Sequence, residues 1–478
     1  MNRSLRRLYL ALAGGFGLLM LMLGWWQVVA ANDLKDRSDN AQQIQAEKLI
    51  DRGTILSADG RRLAISRARR IKGQKVFERV YPQGGLMAQV VGYSLAEDGS
   101  KTGVEKEYDR YLAGSFGAQP LLQRLNLSEK EGANVQLTLD TRIQTVAEQA
   151  LLGRAGAVVA LDPRTGAVLT MASSPTFSLQ DITEGKIKQA PDTSLLNRAT
   201  QGRYPPGSTF KVVTTTSALV NSLYDENSSF DDTGSYDATG GGDPIRNFGS
   251  ERYGRVTLRT ALTNSINTVF ASIGDDLGPD RLGATMSAYG FGTRPGIDLP
   301  EEMVLPSGRL DGNTVLANDA RGEDTARIAI GQERVLATPL QMAMVAATVA
   351  NDGVEMQPHV MSRIVDRGGS VIQTAEPREV STVMTPEQAA ELTSMMEDVV
   401  RSGTGTAAAL SGLTVAGKTG TAETGIATQN QAWFIGFAPA DDPVVAVAVV
   451  IEKSSATGGD VAAPVAGEVM RAAIEARG

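Results

Sequence analysis

A serine three residues ahead of a lysine, Ser208-Thr209-Phe210-Lys211, can bring a hydroxyl and an amine together on one helix face. Pro205, Pro206 and Gly207 break regular structure just upstream, and the apolar run that follows reads as a helix, so Ser208 falls at a helix start. The field there favours negative charge developing on the hydroxyl. A lysine pressed against an apolar wall loses its proton more readily and can serve as the base that makes the serine a nucleophile. A helix-capping serine followed by a surface lysine satisfies the same spacing, so further groups have to support the chemistry.

Two downstream segments supply them. In Ser265-Ile266-Asn267 the hydroxyl can relay a proton and the amide can clamp a substrate, although a polar pair in a helical connection would look the same. Ser38-Asp39-Asn40 also matches, but it precedes Ser208 and lies in a charged stretch. In Lys418-Thr419-Gly420-Thr421 a strand edge would offer a cation and hydroxyls to a carboxylate, and Gly420 would let a substrate backbone approach closely. Lys101-Thr102-Gly103 repeats the triplet in polar surroundings, without the apolar LTVAG before it or AWFIGF after it. The order 208, 265, 418 within one region is what gives the three segments weight.

The elements that must position these groups are legible in outline. Asp140 can cap a helix over DTRIQTVAEQALL, with Ile143, Val146 and Leu151 at roughly helical spacing. Ala157–Ser173 reads as a hairpin around DPRTG, AWFIGFAP and PVVAVAVVIE as two more strands, and a last helix is expected after Pro464. Strands at both ends with helices between predict an α+β domain over 135–478 whose sheet joins early and late parts. Asp231–Glu251, rich in Gly and Asp, reads as a surface loop. Residues 32–134 read as a small β-rich pedestal, with TILSADGRRLAIS forming two strands about Asp59-Gly60.

Leu8–Ala31 is 24 residues without a charge, preceded by Arg3, Arg6 and Arg7 and holding Trp25 and Trp26 near its far end. That length crosses a hydrocarbon core of about 30 Å. Residues 1–7 are then expected in the cytoplasm and the rest outside. A cleaved signal peptide is the competing reading, since Val29-Ala30-Ala31 resembles a cleavage site, but its apolar core would be shorter. With no cysteine and only His359, thiol chemistry, disulfides and ordinary zinc sites lack ligands. His359 reads as structural, and Trp433 and Phe434 as strand core. A net charge of −8 argues against broad nucleic-acid binding.

These motifs, with RGTILSADGRRLA, RVYPQGGLMAQVVGY, GVEKEYDRYLAG, GAVVALDPRTGAVLTMASSP and IGQERVLATPLQMA, give a chain that resembles the class B penicillin-binding proteins in their short actinobacterial form. The resemblance implies a penicillin-binding and serine β-lactamase-like transpeptidase domain, with an antiparallel sheet flanked by helices, on a pedestal with one transmembrane helix. It implies a D,D-transpeptidase that cross-links peptidoglycan stem peptides through a Ser208 acyl-enzyme and binds β-lactams, with no cofactor or metal. By the motif match Lys211 is the base, Ser265 and Lys418 share proton relay, and Asn267 holds the donor amide. Thr419 and Thr421 face the donor carboxylate across Gly420, and the backbone N–H groups of Ser208 and Thr421 form the oxyanion hole. A membrane glycan polymerase of the shape-elongation-division-sporulation type is the implied partner. Ser-Ile-Asn departs from the Ser-Asp-Asn of class A β-lactamases, and Glu333 and Glu423 stand where many class B relatives differ, leaving the acceptor side open. The length leaves no room for a glycan-polymerising domain. A D,D-carboxypeptidase, a β-lactamase and a catalytically weak β-lactam sensor or divisome scaffold are the alternatives.

Overall fold

The computed structural model describes residues 3–25, 47–96, 99–116, 131–185, 194–239, 241–322, 324–422 and 429–477. Helix α1 (Arg3–Gly24) is long and apolar enough to cross a membrane and is exposed along its length. The expected anchor from Trp26 to Ala31 lies outside the described residues, as does Ser38-Asp39-Asn40.

In chain order, β1 (Ile55–Leu56), β2 (Arg62–Ile71) and β3 (Gln74–Val80) form the first ladder, as the Asp59-Gly60 turn predicts. Strand β4 (Asn134–Leu137) precedes helix α2 (Thr141–Ala150), whose cap Asp140 accepts the Arg142 N–H at 2.8 Å. Strands β5 (Gly156–Leu161) and β6 (Val168–Ser174) make the expected hairpin. Helix α3 (Lys211–Val220) follows, then β7 (Ser229–Asp232), β8 (Gly254–Thr257), α4 (Leu258–Thr263), α5 (Asn267–Ala288) and α6 (Pro339–Ala350). Strands β9 (Met361–Val365) and β10 (Val371–Thr374), helix α7 (Pro386–Arg401), strands β11 (Ala416–Ala422), β12 (Asn430–Ala438) and β13 (Val445–Ser454) and helix α8 (Gly458–Arg477) complete the chain.

Five strands form an antiparallel sheet in the order β11-β12-β13-β5-β6, joining the late and early parts of the chain. One face is covered by α2 and α8 through Ile143, Ala147, Val447, Val449, Val469 and Met470. The other carries α6, buried from Pro339 to Val349, with α3, α5 and α7 beyond it. Coverage on both faces is why AWFIGFA and VAVAVV read as continuous apolar runs rather than alternating ones. Trp433 and Phe434 are fully buried, as expected of strand core. His359 pairs through its backbone with Ala167 beside the β5–β6 turn.

The last helix begins at Gly458, with Pro464 inside it, which corrects the expected start after Pro464. Gly458 is a poor helix former, but a Cβ there would strike the carbonyls of Trp433 and Gly420, so packing selects it.

The second sheet has six strands in the order β10-β9-β4-β1-β2-β3. It therefore takes strands from 361–374 as well as from the N-terminal region. A buried ion network braces it: Glu105 accepts from Arg52 at 2.9 Å and Arg79 at 2.6 Å, and Arg52 also reaches Asp109 at 2.6 Å. Lys101 belongs to this network, pairing with Glu47 and Asp109 at 3.0 Å, so the first Lys-Thr-Gly copy is structural.

Candidate active site

The segment before Ser208 is tied down at nearly every residue. Tyr204 exchanges backbone hydrogen bonds with Ala337, its hydroxyl donates to Glu452 at 2.6 Å, and Arg198 holds the same carboxylate at 2.8 Å. The indole N–H of Trp433 donates to the Pro205 carbonyl at 3.0 Å. Gly207 adopts φ +53°, which the missing side chain permits, and its N–H donates to Gly331 O at 3.0 Å. Gly207–Phe210 then forms a 3-10 turn that runs into α3. Ser208 is half-buried on this turn, one turn ahead of Lys211.

Lys211 is fully buried. Its Nζ donates to the Ser265 carbonyl and to Asn267 Oδ1, both at 2.7 Å, and lies 3.3 Å from Ser265 Oγ. The ring of Phe270 sits 5.3 Å from the nitrogen. Burial, and then the neighbouring charge of Lys418, push the Lys211 amine well below the usual lysine range. An uncharged amine has two N–H bonds and one lone pair. Both short contacts go to obligate acceptors, because Asn267 Nδ2 donates to the Arg246 carbonyl at 2.9 Å and thereby turns Oδ1 toward the lysine. The two donors are used, and the lone pair is left for the Ser265 hydroxyl at 3.3 Å or for the serine nucleophile.

Ser265 presents its carbonyl to the lysine through a left-handed backbone, φ +59°, an arrangement costing about 1–3 kcal/mol in a non-glycine residue. A carboxylate supports the strained turn. Asp232, at the end of β7, accepts from Thr268 Oγ1 at 2.6 Å, from Asn247 Nδ2 at 3.0 Å and from the N–H groups of Tyr253 and Gly234 at 2.7 and 2.8 Å. Asn247 Oδ1 in turn accepts the Thr268 N–H at 3.1 Å. The expected surface loop over Asp231–Glu251 is therefore partly ordered: β7 pairs with β8, and Ser235–Tyr236 pairs with Ile245–Arg246. The carboxylate satisfies the donors that a free loop would leave to water.

Lys418 lies on β11, the edge strand, and is fully buried, with Nζ donating to the Thr419 carbonyl at 3.0 Å. Burial lowers it to about 7. Strand β11 crosses the serine turn at Gly420, where a Cβ would stand 2.9 Å from Pro206 O and 3.0 Å from Thr209 N. Only glycine permits that approach. Thr419 is buried and shares a 2.6 Å hydrogen bond with the Thr404 hydroxyl. The Thr421 hydroxyl oxygen accepts the Gly458 N–H at 3.2 Å, which leaves its own proton to donate.

The structure thus brings Lys211, Ser265 and Asn267 into direct contact, with Lys418 close enough to act on Lys211 electrostatically and β11 packed on the Ser208 turn. Glu333 is exposed with φ +61°, and Glu423 lies outside the described residues. Thr404, Asp232, Asn247 and Gly331 support the site and were not singled out from sequence. Of these, only Gly331 fell in a segment carrying the family likeness. Among the described residues no cluster of His, Asp or Glu could hold a metal ion.

Residues 156–471 match the family described as the penicillin binding protein transpeptidase domain, and 52–135 the penicillin binding protein A dimerisation domain. The chain is 35% identical to a peptidoglycan D,D-transpeptidase PbpA of Mycolicibacterium smegmatis, covering 99% of each chain. It is 34% identical to the protein of that name from Mycobacterium tuberculosis, again over 99% of each. Among solved structures it is similar to penicillin-binding protein A from M. tuberculosis in a ceftriaxone acyl-enzyme complex, at 32% identity and a TM-score of 0.79, covering 90% of this chain and 100% of that one. A D,D-transpeptidase domain from Eggerthella lenta matches at 36% identity and the same TM-score, covering 90% and 99%.

Proposed function

From the premise that this chain belongs to the penicillin-binding protein transpeptidase family, we propose how its residues carry out the D,D-transpeptidation of peptidoglycan stem peptides. Ser208 Oγ bonds to the carbonyl carbon of the donor's penultimate D-alanine while its proton passes to the lone pair of Lys211 Nζ. The backbone N–H groups of Ser208 and Thr421 hold the oxyanion. The peptide C–N bond breaks, and the leaving D-alanine amine takes a proton relayed through Ser265 and Lys418. An acceptor amine then attacks the ester, gives up a proton and forms the cross-link, as the C–O bond to Ser208 breaks and the hydroxyl is restored. Asn267 positions the donor amide. The Lys418 cation and the Thr421 hydroxyl meet the donor's terminal carboxylate, with Thr419 as their buried support. β-Lactams acylate Ser208 as mimics of the donor.

The observation that carries this reading is the convergence of Ser265 and Asn267 on the buried Lys211 amine, one turn after Ser208, where burial and the charge of Lys418 favour the uncharged base. The test is intact mass after exposure to penicillin. A persistent adduct on wild type and none on Ser208→Ala supports the reading, an adduct on the variant refutes it, and rapid loss from wild type indicates a hydrolase. We place α1 across the membrane with its arginine-bearing end in the cytoplasm and the remainder outside. The domains run 1–7, 8–31, 32–134 and 135–478, the last contributing most of β4 and the 361–374 ribbon to the pedestal sheet, with a polymerase of the shape-elongation-division-sporulation type contacting the anchor and pedestal.

A further inference from the structure

The most unbalanced charge among the described residues lies on the β2–β3 hairpin. From Arg61 to Arg79 there are eight cations, Arg61, Arg62, Arg67, Arg69, Arg70, Lys72, Lys75 and Arg79, against the single carboxylate Glu78, in a chain of net charge −8. All of these cations except Arg79 are exposed. From Arg67 to Lys75 every side chain on both faces is exposed, so the hairpin projects clear of the body. A two-stranded ribbon without a covered face is marginal on its own, and this one carries a further penalty. The ladder sets Arg70 directly opposite Lys75, a like-charge pair that weakens the pairing. Arg69 alone has a carboxylate partner on the hairpin, Glu78 at 2.9 Å. At the tip, Ile71 is 57% exposed and Lys72 takes a left-handed backbone beside Gly73.

A second observation places this cation cluster. The Phe77 N–H of β3 donates to the Lys48 carbonyl at 2.8 Å, so the first described residues after the anchor join the folded body along the hairpin's outer strand. The hairpin therefore sits where the tether arrives.

We propose that the β2–β3 hairpin docks on the anionic phospholipid surface of the membrane that holds α1, with Arg67, Arg70, Lys72 and Lys75 on headgroup phosphates and Ile71 at the interface. The like-charge pair that costs stability in water is relieved by phosphate between its members. Contact on one side of the pedestal would fix its tilt above the bilayer. The inference rests on the reading of α1 as a membrane anchor, not on the catalytic roles.

Because the chain has no cysteine, a single one can be labelled without background. The full chain carrying Ile71→Cys and an environment-sensitive dye is reconstituted into vesicles of phosphatidylcholine alone or mixed with phosphatidylglycerol, with a headgroup-attached quencher. Leu413→Cys in the transpeptidase region is the control position. The proposal expects about twofold or greater quenching at position 71 in the anionic vesicles over the neutral ones, lost in 1 M salt, and unchanged quenching at 413. A variant with Arg67, Arg70, Lys72 and Lys75 all changed to Gln should lose the difference while keeping wild-type labelling of Ser208 by fluorescent penicillin. That labelling separates the hairpin from the catalytic reading. Equal quenching in both vesicle types, or a quadruple variant that still distinguishes them, overturns the proposal. So does a dye at 71 that responds to soluble polyphosphate in detergent but not to anionic vesicles.

Discussion

Glu355 is a buried carboxyl without a compensating charge. It is 2% exposed, its Oε2 has no hydrogen-bond partner, and burial raises it to about 7 from 4.5. Across Gly290 lies Gln341, whose Nε2 donates to the Tyr289 carbonyl at 2.6 Å while its Oε1 is likewise unpartnered. The unfolded chain releases the Glu355 proton near 4.5 and the folded one near 7, so between these values the folded state binds more protons and stability falls as pH rises. At 1.36 kcal/mol per unit the loss reaches about 3 kcal/mol above pH 7 and is under about 1 kcal/mol at pH 5. Glu355→Gln keeps the shape and removes the titration. Over 478 residues, unfolding entropy converts 3 kcal/mol into a Tm shift of roughly 3 °C. Thermal unfolding should therefore place Glu355→Gln about that far above wild type at pH 8, with most of the gap closing at pH 5. A variant no more stable than wild type at pH 8, or a gap independent of pH, would falsify the argument.

Gly331→Ala should disable acylation without touching a reacting group. At φ +75° a Cβ is driven into the Gly207 carbonyl, displacing the Ser208 turn, and fluorescent-penicillin labelling should slow by about 100-fold. Asp232→Ala strands the donors of Thr268, Asn247, Tyr253 and Gly234, so we expect a loss of at least about 2 kcal/mol in denaturant unfolding, together with slower acylation. Unchanged acylation would remove Asp232 from the support of Asn267. With Lys418 near 7, its cation is lost as pH rises through that value, so the second-order acylation constant of penicillin should decline on the alkaline side. Lys418→Arg, which stays charged, should flatten that limb. A profile unaltered by the substitution would show that another group titrates.

Ser208, Lys211, Ser265, Asn267 and Lys418 could be singled out as candidates because each motif is a short local pattern and their order along the chain reinforces it. Their supports come from long-range contacts that no local pattern encodes. Asp232 meets Thr268 across 36 residues, and the Gly331 carbonyl reaches the Gly207 N–H from the far side of α5. Ser265 acts on Lys211 most closely through its carbonyl, which depends on a left-handed backbone that residue type alone did not announce. The hairpin from β9 to β10 was not singled out from sequence, and nothing local says which sheet receives it. The start of α8 was misread because Pro464 and two glycines argue against a helix that tertiary packing imposes.

The interleaving of β9 with β4 bears on how such proteins exchange parts. A chimera joined just after β4 would graft an N-terminal segment whose β4 keeps β1 but lacks its β9 neighbour, onto a recipient whose 361–374 ribbon was shaped for a different host. Recombination between relatives should therefore be tolerated only when that ribbon travels with the N-terminal segment, so two crossover points far apart in the gene behave as one unit of inheritance.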